Sequence, residues 1–228
     1  MATLQLPPGL EYNGQLVETS NGGVSDWVAY KKVKLYTNAF VILNDAKVLL
    51  GYKKRGFGTG LWNGFGGKVD PGETPLQAAV RELEEEAGIE APLEHCGVLF
   101  FVVDGADAAF HIDIFRADEY TGTVSETDEM RPEWFSVQKE LLPLTNPQTT
   151  ADHDHDHAAN PQATEEEGPE PETEGLPLPD IPLKQMWADD EFWMPLMFSR
   201  RFFVGRADFD ADDKMLKWWF AAAPASLS

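Results

Sequence analysis

Glu82, Glu85 and Glu86 stand at i, i+3 and i+4 in the run RELEEEAG, a spacing that gathers three carboxylates on one side of a helix. Carboxylates this close repel one another, by as much as about 4 kcal/mol per pair at an effective dielectric near 20. A cation among them removes that penalty. An all-oxygen cluster suits Mg²⁺ or Mn²⁺, ions that also bind the phosphate oxygens of a substrate. Such ions neutralise phosphate charge, stabilise a departing pyrophosphate and acidify a bound water. Arg81 lies one turn before Glu85 and can hold its carboxylate in place. Taken alone, a run of this kind is more often a solvated helix face whose side chains splay into water. The residues ahead of it argue for a site. Gly66, Gly67 and Gly72 permit tight turns that bring main-chain groups against the helix, and Glu73 stands at the exit of that loop.

The sequence also supplies the helix that must carry these glutamates. Thr74 can cap it, Pro75 suits the first helical position, Gln77 completes a capping box, and Gly88 provides a left-handed stop. The spacing predicts a helix over 74–87 with Leu76, Val80, Leu83 and Ala87 turned to the core. Strands are expected near 34–44, 47–53, 95–104, 109–118, 131–136, 200–209 and 214–221. Segments such as VKLYTNAFVIL and KMLKWWF carry the β-branched and aromatic bias of strands. A short helix is expected after Trp187.

Residues 67–89, GKVDPGETPLQAAVRELEEEAGI, resemble the Nudix box without a departure. The match runs glycine, five residues, glutamate, seven residues, then arginine, glutamate, an aliphatic, any residue, two glutamates, any residue, glycine and an aliphatic. The resemblance implies the Nudix fold, an α+β arrangement in which an α/β/α sandwich surrounds a mixed β-sheet. It implies hydrolysis of a nucleoside diphosphate linked to a further group, with Mg²⁺ (or Mn²⁺) as cofactor. The metal ligands it implies are Glu82, Glu85, Glu86 and the Gly66 carbonyl, with Glu129 of ETDEM close to the metals and Arg81 in support. Either Glu86 or Glu129 could act as the base, and the sequence does not choose between them.

Outside the box, LYTNAFVIL (35–43), VLLGYKKRGFGTGLWNGFGGKV (48–69), ETDEMRPEWF (126–135) and IPLKQMWADDEFWMPL (181–196) resemble Nudix members that act on oxidised purine nucleoside triphosphates. The substrates implied are 8-oxo-dGTP, 2-hydroxy-dATP and their kin, cleaved to monophosphate and pyrophosphate. Carried over position by position, the base pocket falls at Thr37, Phe57, Asn63, Phe101, Trp187, Asp189 and Asp190. Lys53 and the segment Phe65, Gly66, Gly67 and Lys68 then lie near the phosphates. The residue types suit these tasks. Trp187 and Phe57 offer flat faces for a purine, and Asn63 has both donor and acceptor groups. Asp189 and Asp190 are adjacent carboxylates among aromatics, a setting that favours one shared proton. A protonated aspartate answers an O6 acceptor and an ionised one accepts N–H, so moving the proton would let one pocket take several damaged purines. Two blander readings stand beside these: the aspartates as complements of a helix dipole, and Phe101 in LFFVV as a core residue. Other Nudix substrates (ADP-ribose, dinucleoside polyphosphates, capped RNA, methylated purines) or a non-catalytic nucleotide-binding module are the competing functions.

At 228 residues the chain suits one globular domain with extensions. A net charge of −21 speaks against a polymeric nucleic-acid partner, which needs a basic face. Residues 146–175 hold nine Asp and Glu and no Lys or Arg, a composition that cannot offset ordering entropy. The expected division is a flexible or partly packed arm over 1–32, a Nudix first part over 33–143, a disordered acidic insertion over 144–179, the completion over 180–221 and a frayed tail over 222–228. Within the insertion His153, His155 and His157 alternate with aspartates and could hold a metal, although a solvated polar run is the commoner case. The first 30 residues hold no Lys or Arg and read as neither secretory signal nor transit peptide. No segment approaches a membrane span. The single Cys96 excludes an intrachain disulfide and fits a reducing compartment. A monomer in the cytoplasm, and in the nucleus or mitochondria as further compartments, is expected.

Overall fold

Alternate residues of one long strand divide this molecule into two layers. In β2 (Lys32–Leu43) Ala39 and Val41 face one side, Phe40 and Ile42 the other, as the two-residue repeat of a strand requires. The computed structural model describes residues 4–138, 141 and 177–225. Helix α1 (Pro75–Ala87) packs Ala79, Leu83 and Ala87 onto the Ala39 side, together with Leu49 and Phe65. Helix α2 (Asp190–Phe198) packs Trp193, Met194 and Met197 onto the Phe40 side, with Val48, Leu50 and Phe203. Burial of an aliphatic or aromatic side chain contributes about 1.5–3 kcal/mol, so each helix is held chiefly by this face. The result is the α/β/α sandwich with a mixed sheet that the sequence predicts.

The main sheet also contains β1 (Val17–Gly22), β3 (Lys47–Lys53), β4 (Trp62–Asn63), β6 (Glu94–Val103), β7 (Ala108–Ala117), β9 (Met130–Ser136), β10 (Phe203–Phe209) and β11 (Met215–Ala222). A two-stranded ribbon of β5 (Ile89–Glu90) and β8 (Thr121–Gly122) lies apart. The order in the main sheet is β1-β11-β10-β6-β7-β2-β3-β4, with β9 along β3. The pairs β10–β6 and β2–β7 are parallel, and all others are antiparallel.

The ends of α1 follow the sequence closely. Thr74 Oγ1 accepts from the Gln77 main-chain N–H, the Gln77 side chain reaches back to the Thr74 N–H, and Gly88 closes the helix at φ 73°. Its sidedness is different from expectation. Leu76 is 44% exposed, while Ala78 and Ala79 are fully buried. Leu76 sits in the first turn, before the helix reaches the sheet.

The N-terminal arm is packed onto the sheet. Residues 17–22 form an edge strand on β11, and Leu4, Leu6, Leu10, Tyr12, Leu16, Trp27, Val28 and Tyr30 cover Phe100, Val102, Val204 and Trp219. Their irregular spacing carries no helical or strand period, so the packing is invisible in the sequence. Arg206 fixes the arm from below: it donates to the carbonyls of Pro8 and Val28 and forms a fully buried pair with Asp208 at 2.8 Å. The expected tail begins too early, because Ala222 is a buried residue of β11 and the Ala223 N–H donates to Phe202. Most of the expected insertion, with His153, His155 and His157, lies outside the described residues. Among the described helices, none is long and apolar enough to cross a membrane.

Candidate active site

Arg81 organises the exposed end of the glutamate cluster. Its guanidinium grips Glu73 with two hydrogen bonds, Nε to Oε1 at 2.8 Å and Nη2 to Oε2 at 3.0 Å. Its Nη1 reaches Glu82 Oε1 at 2.9 Å and Glu85 Oε2 at 3.2 Å, and Nη2 donates to the Lys68 carbonyl at 3.3 Å. Arg81 does hold Glu85, as its spacing predicts, but the two-toothed grip on Glu73 ties helix to loop. That grip pulls the Glu73 carboxyl down to about 2 and raises the guanidinium further. Gly67 completes the seat: a side chain there would overlap the Glu82 carboxylate.

Lys53, from β3, organises the inner end. Its Nζ lies 2.8 Å from Glu86 Oε1 and 2.7 Å from Glu129 Oε1. The other Glu86 oxygen accepts the Gly66 N–H at 2.9 Å. Glu86 is only 3% exposed. Burial pushes its carboxyl up, against the opposing pull of Lys53. Glu82 is also pushed up by burial, opposed by Arg81. Glu129, a third exposed, goes the other way through its bond to Lys53. Burial works to lower the Lys53 ammonium, yet its bonds to Glu129 and Glu86 outweigh this and raise it.

Glu82, Glu85, Glu86, Asp128 and Glu129 line one cleft of about 260 Å³, with Thr127 and Arg55. This all-oxygen donor set fits a hard divalent ion. With Lys53 and Arg81 drawn among them, no three such side chains among the described residues converge as a finished ligand set.

A larger cavity of about 470 Å³ touches both layers. It meets Glu82, Glu85, Glu129, Lys53 and the Gly66–Lys68 segment. Phe57, Phe110, Trp187 and Phe209 also line it, as do Thr37, Asn63, Phe101 and Asp190. Phe57 stacks between Trp187 (5.2 Å, 22°) and Phe110 (5.8 Å, 15°) while remaining 67% exposed. It stands on a loop whose Gly56, Gly58 and Gly60 all have positive φ. Phe101 serves both roles foreseen for it, packing on Phe209 and lining the cavity.

One residue expected near the phosphates and one expected in the base pocket stand behind the wall. Phe65 is completely buried in the α1 layer, and its main chain pairs with Ala39. Asp189 is also completely buried; its Oδ2 accepts from Trp193 Nε1 at 3.1 Å. Asp190 reaches the cavity, with its Oδ2 accepting the Trp187 N–H at 3.0 Å. Asp189 stands at the N-cap of α2 without making a side-chain cap bond, so helix capping does not account for it. Burial raises both carboxyls, Asp189 to about 7, and the charge of Asp189 raises Asp190 further. Three buried oxygens here have no partner among the described residues: Thr37 Oγ1, Asn38 Oδ1 and Asp189 Oδ1.

Sequence reasoning missed Tyr36, Asn38 and Phe110 in the cavity wall and Lys53 as the clamp on Glu86. An aromatic or amide inside a strand gives no sign of which layer it faces.

The family model described as NUDIX domain matches residues 34–155. The oxidized purine nucleoside triphosphate hydrolase of Danio rerio is 38% identical over 185 residues, covering 81% of this chain and 92% of that protein. The protein of the same name from Mus musculus is 34% identical over 186 residues, with coverage of 81% and 92%. The crystal structure of a MutT protein from Bacillus halodurans superposes with a TM-score of 0.56 at 24% identity, over 82% of this chain and 97% of that one. That last likeness is one of fold. The chain belongs to the Nudix family.

Proposed function

We propose that this chain hydrolyses oxidised purine nucleoside triphosphates, 8-oxo-dGTP and 2-hydroxy-dATP among them, to monophosphate and pyrophosphate, and so cleans the nucleotide pool. The observation that carries the proposal is one cavity lined both by a group of aromatic rings and by glutamates of the box. A purine stacks among Phe57, Phe110 and Trp187, and the triphosphate extends toward Lys53, Gly66, Gly67 and Lys68. The names of the zebrafish and mouse relatives support the same substrate class.

In this reading Glu82, Glu85, Glu86, Glu129 and the Gly66 carbonyl would hold Mg²⁺, or Mn²⁺, which would supply charge neutralisation and an acidified water. The chain's own residues do the rest. Arg81 fixes Glu82, Glu85 and the loop through Glu73. Lys53 holds Glu86 and Glu129 side by side, and one of these two carboxylates takes the proton of the attacking water. Asp190, with Asp189 behind it, reads the base. Burial of both favours one retained proton, which gives the pair a donor and an acceptor together. A monomer working in a reducing compartment, the cytoplasm with the nucleus or mitochondria, completes the proposal. The largely buried Cys96 thiol, pushed up to about 12, stays protonated and unreactive.

A panel of 8-oxo-dGTP, 2-hydroxy-dATP, dGTP and ADP-ribose, assayed for monophosphate and pyrophosphate, tests this directly. Preference for the oxidised purines is expected; comparable turnover of ADP-ribose defeats it. Asp189→Asn is expected to change the ranking among the oxidised purines, and unchanged rates on all of them would sink the shared proton.

A further inference from the structure

Asn63 presents a carboxamide to the cavity, and a carboxamide can read a base in two opposite ways. Turned one way it donates, and turned through half a rotation it accepts. Its Oδ1 here accepts two hydrogens, from the Gly64 main-chain N–H at 2.8 Å and from Asn38 Nδ2 at 2.7 Å. A main-chain N–H can only donate, so it identifies the oxygen end of Asn63. The neighbouring Asn38 must then offer its own NH₂. Asn38 Oδ1 is consequently turned onto Gly64, where a side chain would overlap it, and it lies buried with no partner among the described residues. The remaining end of Asn63, its Nδ2, is left to the cavity that both asparagines line.

We infer that Asn38 is a specificity-determining positioning residue: it locks the Asn63 carboxamide with its NH₂ toward the bound base. The cavity thereby selects a hydrogen-bond acceptor, a purine ring nitrogen, at that edge. The inference rests on reading this cavity as the base pocket. Two features favour it over simple packing. An apolar side chain at position 38 would fill the space without burying an orphaned oxygen. Both residues also stand on sheet strands, β2 and β4, where a positional lock holds its geometry. Asn63 held only by Gly64 would exchange donor for acceptor at the loss of one bond; with Asn38 the exchange either loses two and sets two NH₂ groups face to face, or turns Asn38 as well and buries its NH₂ without a partner where Oδ1 now packs on Gly64.

The test is a kinetic cycle on the full chain with Mg²⁺, using the nucleotide that the unaltered protein turns over best. Asn38→Leu is expected to raise KM about tenfold while kcat stays within about twofold, the scale of one oriented hydrogen bond. Asn63→Ala is expected to raise KM at least as far. The double variant should match Asn63→Ala alone, because Asn38 acts through Asn63. Triphosphates of 3-deaza and 7-deaza purines, each lacking one ring acceptor, supply a second readout. The unaltered protein should discriminate against at least one of them, and Asn38→Leu should lose that discrimination. An unchanged KM in Asn38→Leu, or multiplying effects in the double variant, overturns the inference. Should Asn38→Leu fail to fold, Asn38→Asp keeps the volume, lacks the donor and carries the same cycle. If the preferred nucleotide proves to be ADP-ribose, the proposed function falls while the cycle is still read on that substrate. Normal 8-oxo-dGTP turnover with a multiplying cycle sinks the role of Asn38 alone.

Discussion

Glu86 is the most constrained carboxylate of the site, with one oxygen on Lys53, the other on the Gly66 N–H, and almost no contact with solvent. A side chain held this firmly loses function on small changes. Glu86→Gln is expected to lower kcat by about 10²–10⁴-fold with the fold intact, and Glu129→Gln, at a more exposed position, by less. Equal losses at the two positions in a steady-state assay would contradict this ranking. The aspartates make a prediction in pH. Both carboxyls are raised by burial, so their stabilising protonated forms are fully present below the ordinary aspartate value of about 3.9 and are lost as pH rises through the raised values. Thermal melts from about pH 4 to 8 should show a decline that Asp190→Asn flattens; an identical slope in the variant would refute it. The register of the box made the glutamates legible, because helical spacing converts directly into a shared side. Lys53, Asn38 and Phe110 were not legible as partners. Each enters from a strand distant in sequence, and only the folded register brings it to its neighbour.

The strand β10 shows how one element serves two tasks. Ala207 and Phe209 join the layer that walls the cavity, while Arg206 and Asp208 face the N-terminal arm. Arg206 is wholly buried, stacked on Trp27 at 4.8 Å and paired with Asp208. Removing one member of such a pair strands the other charge. Arg206→Leu is expected to cost about 3–5 kcal/mol in chemical denaturation and to release the arm to proteolysis. A variant as stable as the parent would mean that the arm holds by its apolar residues alone. In the sequence, RADF reads as a polar interruption of an apolar strand, and nothing local says that Trp27 and Tyr30 come back to cover it. The caps of α1 were readable because their chemistry is local; this clamp was not, because it joins residues about 180 positions apart.

At the scale of the whole molecule, residues up to Gln138 and from 177 onward flank a stretch that, apart from Leu141, lies outside the described residues. Just inside these points the Ser136 N–H donates to the Pro179 carbonyl at 2.8 Å, and Ser136 pairs with Asp180. The two flanks are already fastened together, so the length of the connection between them has little bearing on the site. Deleting 146–175 should leave kcat and KM within about twofold of the parent; a marked loss would make the insertion part of the active site. The two-layer plan carries a consequence of its own. The glutamates ride on the helix of one layer, whereas Asp190 and Trp193 come from the helix of the other, with Phe101 and Phe209 in the cluster beneath it. Clientele and cutting tool can therefore drift independently: substitutions under α2 re-address the protein to a new nucleotide, while the blade on α1 stays as it is.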